Sequence, residues 1–83
     1  MNIEVYTIDS CPWCQECIKL LKEKNIEFIE HRSSSEGIFD TFKILSDKTG
    51  VNINYVPIVF VDNNLIGAYN ALKKFLEDRE TIT

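Results

Sequence analysis

The chain has 83 residues, with 13 acidic and 9 basic side chains and a formal net charge of −4. Hydrophobic residues make up 45%, enough for one small core and one domain over residues 1–83. With 3 Gly, 2 Pro and no apolar run near the roughly 20 residues that cross a bilayer, the chain is neither low-complexity nor membrane-spanning. The acidic balance argues against nucleic acid or an anionic membrane as the main partner. The start, Met-Asn-Ile-Glu-Val, does not read as a signal peptide.

Residues 3–8 alternate, with Ile3, Val5 and Thr7 on one side and Glu4 and Tyr6 on the other, a strand pattern. Asp9-Ser10 interrupts it and supplies helix-capping side chains. Pro12 suits a first helical position, so a helix is predicted from there to about Lys24-Asn25, with Ser10 or Cys11 at its cap. Its buried stripe is Cys14, Cys17, Ile18 and Leu21. A second strand is predicted over 26–30. Ser33 and Glu36 have capping-box spacing, which predicts a helix from Glu36 to Lys48 with Ile38, Phe39, Phe42 and Leu45 as its apolar face. Gly50 is its stop signal.

The run Val56-Pro57-Ile58-Val59-Phe60-Val61 reads as a central strand, Asp62-Asn63-Asn64 as a turn, and Leu65-Ile66 as the returning strand of a hairpin. Gly67 breaks it. A last helix is predicted over Ala68–Asp78, with Ala68, Leu72, Phe75 and Leu76 as its stripe and a fraying tail from Glu80 to Thr83. The order β-α-β-α-β-β-α predicts an α/β fold: a four-stranded mixed sheet with three helices on its two faces.

All three cysteines, Cys11, Cys14 and Cys17, fall within seven residues. A secreted scaffold spreads an even number along the chain, so this cluster points to a reducing cytosol and to reactivity or metal binding. A C-x-x-C at a strand-to-helix junction sets its first sulfur beside the unpaired N–H groups of the helix start, where thiol pKa values drop to about 3.5–7.5. Cys11 would then be a thiolate at neutral pH that attacks a disulfide, and Cys14, one turn deeper, would resolve the mixed disulfide. The same spacing makes half of a zinc knuckle, but only Cys17 and the lone His31 remain as further ligands. The cysteine run also matches part of a ferredoxin motif, without its C-P ending or a fourth cysteine. No metal site is expected.

Cys11-Pro12-Trp13-Cys14 after the Tyr6-Thr7 strand resembles the active site of the dithiol glutaredoxins, in the thioredoxin superfamily. Val56-Pro57 resembles that family's threonine-valine-proline segment. The stretch from Ile66 to Leu72 resembles its isoleucine-glycine-glycine-x-aspartate-aspartate-leucine segment. The motifs occur in family order over essentially the whole chain, and Glu36-Gly37-Ile38-Phe39-Asp40 is similar to the small glutaredoxins of T-even-type phages.

The resemblance implies a thioredoxin-like fold and a monomeric thiol–disulfide oxidoreductase of the cytoplasm, the host's if the chain is of phage origin. It needs no cofactor beyond glutathione as cosubstrate. Its partners are glutathione and disulfide-containing proteins, ribonucleotide reductase among the acceptors. The resemblance also implies a cis Pro57 that exposes the Val56 backbone as a strand edge for glutathione or a substrate segment. Gly67, Ala68, Tyr69 and Asn70 would hold the γ-glutamyl end, with Trp13 and Tyr55 beside the site and Pro12 structural.

Asn70 stands where the family has an aspartate and Ala68 where it has a second glycine. Ile8 replaces a frequent lysine, and Gln15-Glu16 follows the second cysteine in place of a basic residue. These departures imply weaker glutathione binding and leave a thioredoxin-reductase-type flavoenzyme open as the reductant. Some relatives hold an iron–sulfur cluster through the first cysteine and glutathione, which is the alternative function. Cys17 is read as a core thiol, His31 as a surface loop residue, and Arg32 and Lys43 as two cations able to replace the missing lysine.

Overall fold

The computed structural model describes residues 1–82, with side chains to residue 79. Its elements are β1 (Ile3–Ile8), α1 (Pro12–Glu23), β2 (Ile29–Ser33), α2 (Ile38–Thr49), β3 (Ile58–Val61), β4 (Asn64–Gly67) and α3 (Tyr69–Ile82). The sheet order is β2-β1-β3-β4. β1 runs parallel to β2 and antiparallel to β3, and β4 closes the hairpin on β3. This is the four-stranded mixed sheet that the element order predicts, in the thioredoxin-like arrangement that the resemblance implies.

The sheet has two covered faces. Ile3, Val5, Val59 and Val61 meet Cys17 and Leu21 of α1 and Leu72 and Leu76 of α3. Ile58 and Phe60 point the other way, to Leu45 of α2 and to Ile53, with Tyr6 packed alongside. Every residue of β3 is buried, which is why its sequence is a continuous apolar run rather than an alternating one. Thr7 is a buried polar residue, and its hydroxyl donates to Glu30 Oε2 at 2.8 Å, so its burial leaves no orphan.

Four sequence expectations shift. β2 lies at 29–33 rather than 26–30. Asn25 has φ +56° and the Ile26 N–H donates to the Leu21 carbonyl, so this stretch closes helix α1 instead of entering the sheet. Ile26 and Phe28 still pack on the core, which is the source of their apolar signal. Because β2 ends at Ser33, the turn before α2 moves one residue on: Ser34 Oγ, not Ser33, accepts the Gly37 N–H at 2.9 Å, and Glu36 lies before the helix. Phe39 is not part of the apolar face; it is 69% exposed and meets Phe42 edge-on. α3 begins at Tyr69 and runs past Asp78 to Ile82, so the tail predicted to fray is helical up to that point; Thr83 lies outside the described residues.

The hairpin turn puts Asp62 and Asn63 at positive φ, 50° and 68°, the geometry that two-residue hairpins require. Among the described residues, no helix is long and apolar enough to cross a membrane.

Candidate functional site

The chain leaves β1 through Asp9 and Ser10, with Ser10 at φ +59°, and turns directly into α1. The cap of that helix is Cys11 itself, rather than Asp9 or Ser10. Its backbone is extended, Pro12 fills the first helical position, and its Sγ accepts the Cys14 N–H at 3.2 Å. A sulfur in this position satisfies an otherwise unpaired N–H and faces the positive end of the helix dipole. All three cysteines are free thiols, and Cys11 is partly exposed.

Cys14 differs in every respect. It is 3% exposed, on the inward side of the first turn. Burial pushes its thiol up to about 12, and the hydrogen bond it shares with the Cys11 side chain adds to this, against a lowering contribution from the Ile8 backbone. Cys17 is fully buried one turn further on and is likewise pushed up to about 12, chiefly by burial. It packs with Leu21, Leu72 and Val59 as the core thiol that the helical stripe predicts.

A groove of about 430 Å³ opens on one side of α1. Trp13, Val56, Pro57, Ala68, Tyr69, Asn70 and Ala71 line it, and none of them is charged. The Val56–Pro57 peptide bond is cis. Trp13 is 60% exposed and its ring lies 5.3 Å from that of Tyr69. The first intrahelical bond of α3 runs from the Leu72 N–H to the Ala68 carbonyl, so the N–H groups just before it lack helical partners beside the groove.

Two residues expected here are not in the lining. Tyr55 is 45% exposed in the loop before Val56. Gly67 sits behind the wall at φ +127°, where an added Cβ would meet the Ala71 Cβ at 2.9 Å. Its part is to let the chain pass from β4 into α3. Ala71 does line the groove and was not singled out from the sequence; its place inside the Ile66–Leu72 motif was the only signal.

A second recess of about 370 Å³ lies between α1 and β2. Ile8, Ser10, Cys14, Gln15, Ile18, Lys19, Lys22, Glu23, Glu30 and Arg32 line it. Arg32 therefore sits near the cysteines, whereas Lys43 is an exposed residue of α2 in neither recess. His31 is not in a loop. It lies in β2, 2.8 Å from the Glu4 carboxylate and stacked on Tyr6 at 4.5 Å. Among the described residues, no group of three or more His, Cys, Asp or Glu is arranged to hold a metal ion.

The family described as Glutaredoxin matches residues 3–66. The chain is 36% identical over 71 residues to glutaredoxin 1 of Rickettsia conorii, covering 86% of this chain and 68% of that protein. It is 30% identical over 69 residues to a glutaredoxin-like 8.6 kDa protein of the Clostridium pasteurianum rubredoxin operon, covering 82% and 85% of the two. Among solved structures, glutaredoxin 1 of Francisella tularensis, crystallised with cacodylate, superposes with a TM-score of 0.84 at 25% identity over 96% of each chain. A buckwheat glutaredoxin–glutathione complex shares the fold, with a TM-score of 0.75 at 21% identity over 96% of this chain and 72% of the other.

Proposed function

The chain belongs to the glutaredoxin family of thiol–disulfide oxidoreductases, and from that premise we propose that it is a dithiol enzyme in which Cys11 attacks and Cys14 resolves. The observation that carries this reading is the capping geometry: Cys11 Sγ is partly open and accepts the Cys14 N–H, while Cys14 is buried one turn below.

The Cys11 thiolate attacks one sulfur of a substrate disulfide. A Cys11–substrate disulfide forms, the substrate S–S bond breaks, and the departing thiolate takes a proton from solvent. Cys14 then loses its proton and attacks Cys11 Sγ. The Cys11–Cys14 disulfide forms and the second substrate thiol leaves. The Cys11–substrate bond breaks in this step, and in all the substrate gains two electrons from the enzyme and two protons, one from solvent and one released by Cys14. Before the first attack the raised pKa of Cys14 keeps it protonated, so the two sulfurs do not compete.

The uncharged groove is the place for glutathione or a substrate cysteinyl segment. Val56 offers a backbone edge for antiparallel pairing, Trp13 and Tyr69 an aromatic wall, and the start of α3 its N–H donors for a carboxylate. Asn70 accepts from the ligand's amino group without the charge assistance of an aspartate. Pro12 and the cis Pro57 shape the loop, and Gly67 supports it. The electrons return through glutathione as cosubstrate or through a thioredoxin-reductase-type flavoenzyme, with no other cofactor. Protein disulfides and glutathione mixed disulfides of the cytoplasm are the substrates, ribonucleotide reductase among the acceptors, for a monomer that folds as one domain over 1–83.

The test is to oxidise the protein and follow its reduction by glutathione and by thioredoxin reductase with NADPH, in wild type, Cys11→Ser and Cys14→Ser. Rapid reduction of the wild-type disulfide by either donor supports the reading. A chain that forms no Cys11–Cys14 disulfide overturns it.

A further inference from the structure

The two recesses beside α1 share no residue and differ in charge. The groove toward α3 is lined by uncharged residues only, while the cleft toward β2 carries Lys19, Lys22, Arg32, Glu23 and Glu30. Ser10 and Cys14, on either side of Cys11 in the chain, both line the cleft, so it reaches the first turn of α1, although Cys11 itself lines neither recess.

Two carboxylates line this cleft: Glu23, at the end of α1 beside Lys22, and Glu30, which is committed. Glu30 Oε2 accepts from the Thr7 hydroxyl at 2.8 Å and from Arg32 Nε at 3.3 Å, and Asp9 Oδ1 lies 3.9 Å from the same Nε. These contacts hold Arg32 by one edge and leave the rest of its guanidinium to the cleft. The side chains of Lys19 and Lys22, on successive turns of one helix face, make no ion pair or hydrogen bond among the described residues. A chain of net charge −4 thus gathers three cations against two carboxylates in a cleft that begins at Ser10 and Cys14.

We infer that this cleft is a docking site for an acidic polypeptide segment flanking the substrate's cysteine. The inference rests on the proposed exchange at Cys11. The substrate disulfide lies over Cys11 with uncharged neighbours in the groove on one side of α1, and its carboxylates meet Lys19, Lys22 and Arg32 on the other.

Geometry sets the spacing. Lys19 and Lys22 lie about 12–17 Å along the helix from Cys11, from a rise of 1.5 Å per residue. An extended strand covers about 3.3 Å per residue, so the favoured acidic side chains stand about four or five residues from the reacting cysteine. Charge pairing at a solvent-exposed rim acts mainly on encounter, so the preference is in the second-order rate and is sensitive to salt.

The test uses the full-length reduced protein and three synthetic peptides with one intrachain disulfide. They carry three Asp, three Asn or three Lys beginning four residues after the second cysteine. Oxidation is followed by the fluorescence of Trp13, the single tryptophan, and each rate is divided by that for bis(2-hydroxyethyl) disulfide, a small uncharged substrate. The expected result is an acidic peptide about five- to tenfold faster than the Asn peptide in 20 mM salt, with the advantage gone in 0.5 M salt. In Lys19→Glu/Lys22→Glu, checked for folding by circular dichroism, the order reverses in favour of the Lys peptide. Lys43→Glu/Lys73→Glu, with the same net charge but substitutions outside the cleft, keeps the wild-type order. Equal peptide rates in wild type, or an acidic preference that survives in Lys19→Glu/Lys22→Glu, would overturn the docking site and leave the exchange reading standing. If bis(2-hydroxyethyl) disulfide itself fails to oxidise Cys11, the exchange reading falls and the docking site with it.

Discussion

Cys11 and Cys14 are three residues apart on one helix, yet they occupy different solvents. Cys11 is the cap: it is partly open and holds a backbone N–H. Cys14 is one turn in, 3% exposed, with its thiol pushed up to about 12. In the proposed exchange this contrast divides the labour between two identical side chains. The helix start presents a backbone N–H to the first sulfur, and burial keeps the proton on at the second.

The sharpest way to break this contrast is to remove the cap sulfur. Cys11→Ser is expected to lower disulfide reduction by at least about a thousandfold, because the nucleophile itself is gone. Turnover with a protein disulfide under saturating reductant measures this. Removing the buried partner separates the two steps. Cys14→Ser is expected to retain the first attack and to accumulate the Cys11–substrate mixed disulfide, visible by intact mass, while protein-disulfide reduction falls by about a hundredfold.

Gly67 tests the groove's foundation rather than its chemistry. Gly67→Ala forces a side chain into a φ of +127° and to within 2.9 Å of the Ala71 Cβ. A loss of about 1–3 kcal/mol is expected, or about 5–15 °C in melting temperature for a chain of this size. A variant as stable as wild type would show that the β4–α3 passage tolerates a side chain.

The buried thiols also make stability depend on pH. In the unfolded chain they release their protons near about 8.5. In the folded chain Cys14 and Cys17 hold them to about 12. The native state therefore binds more protons in this window, and the stability of the reduced protein falls as pH rises from about 8.5 towards 12. Urea midpoints at pH 7 and pH 10 measure the drop, which is expected to be smaller in Cys17→Ser, where one of these groups no longer titrates. The same variant gives the smallest effect on turnover. Cys17 is packed among Leu21, Leu72 and Val59, so turnover is expected to stay within about twofold, whereas a polar hydroxyl in that site costs about 1–3 kcal/mol of stability. A large loss of activity in a folded Cys17→Ser would assign this thiol a redox role.

Much of this was legible in the chain. The alternation of residues 3–8, the inward stripe through Cys14, Cys17 and Leu21, and the apolar run at Ile58–Val61 each follow directly from which face is buried. β2 was harder because it is an edge strand of mixed exposure, while the apolar residues before it, Ile26 and Phe28, serve the core from outside the sheet. Phe39 misled because helical spacing places a residue on a face without showing where that face ends. The cleft at Lys19, Lys22 and Arg32 was illegible for another reason: it exists only where α1 and β2 meet, and no spacing in the sequence reports a meeting of distant segments.

The most direct test of the division between the two sulfurs is competitive alkylation of the fully reduced protein. Brief treatment with substoichiometric iodoacetamide at pH 7, followed by peptide mapping, is expected to place nearly all the label on Cys11. Label arriving first on Cys14 or Cys17, or spread evenly over the three, would contradict the account.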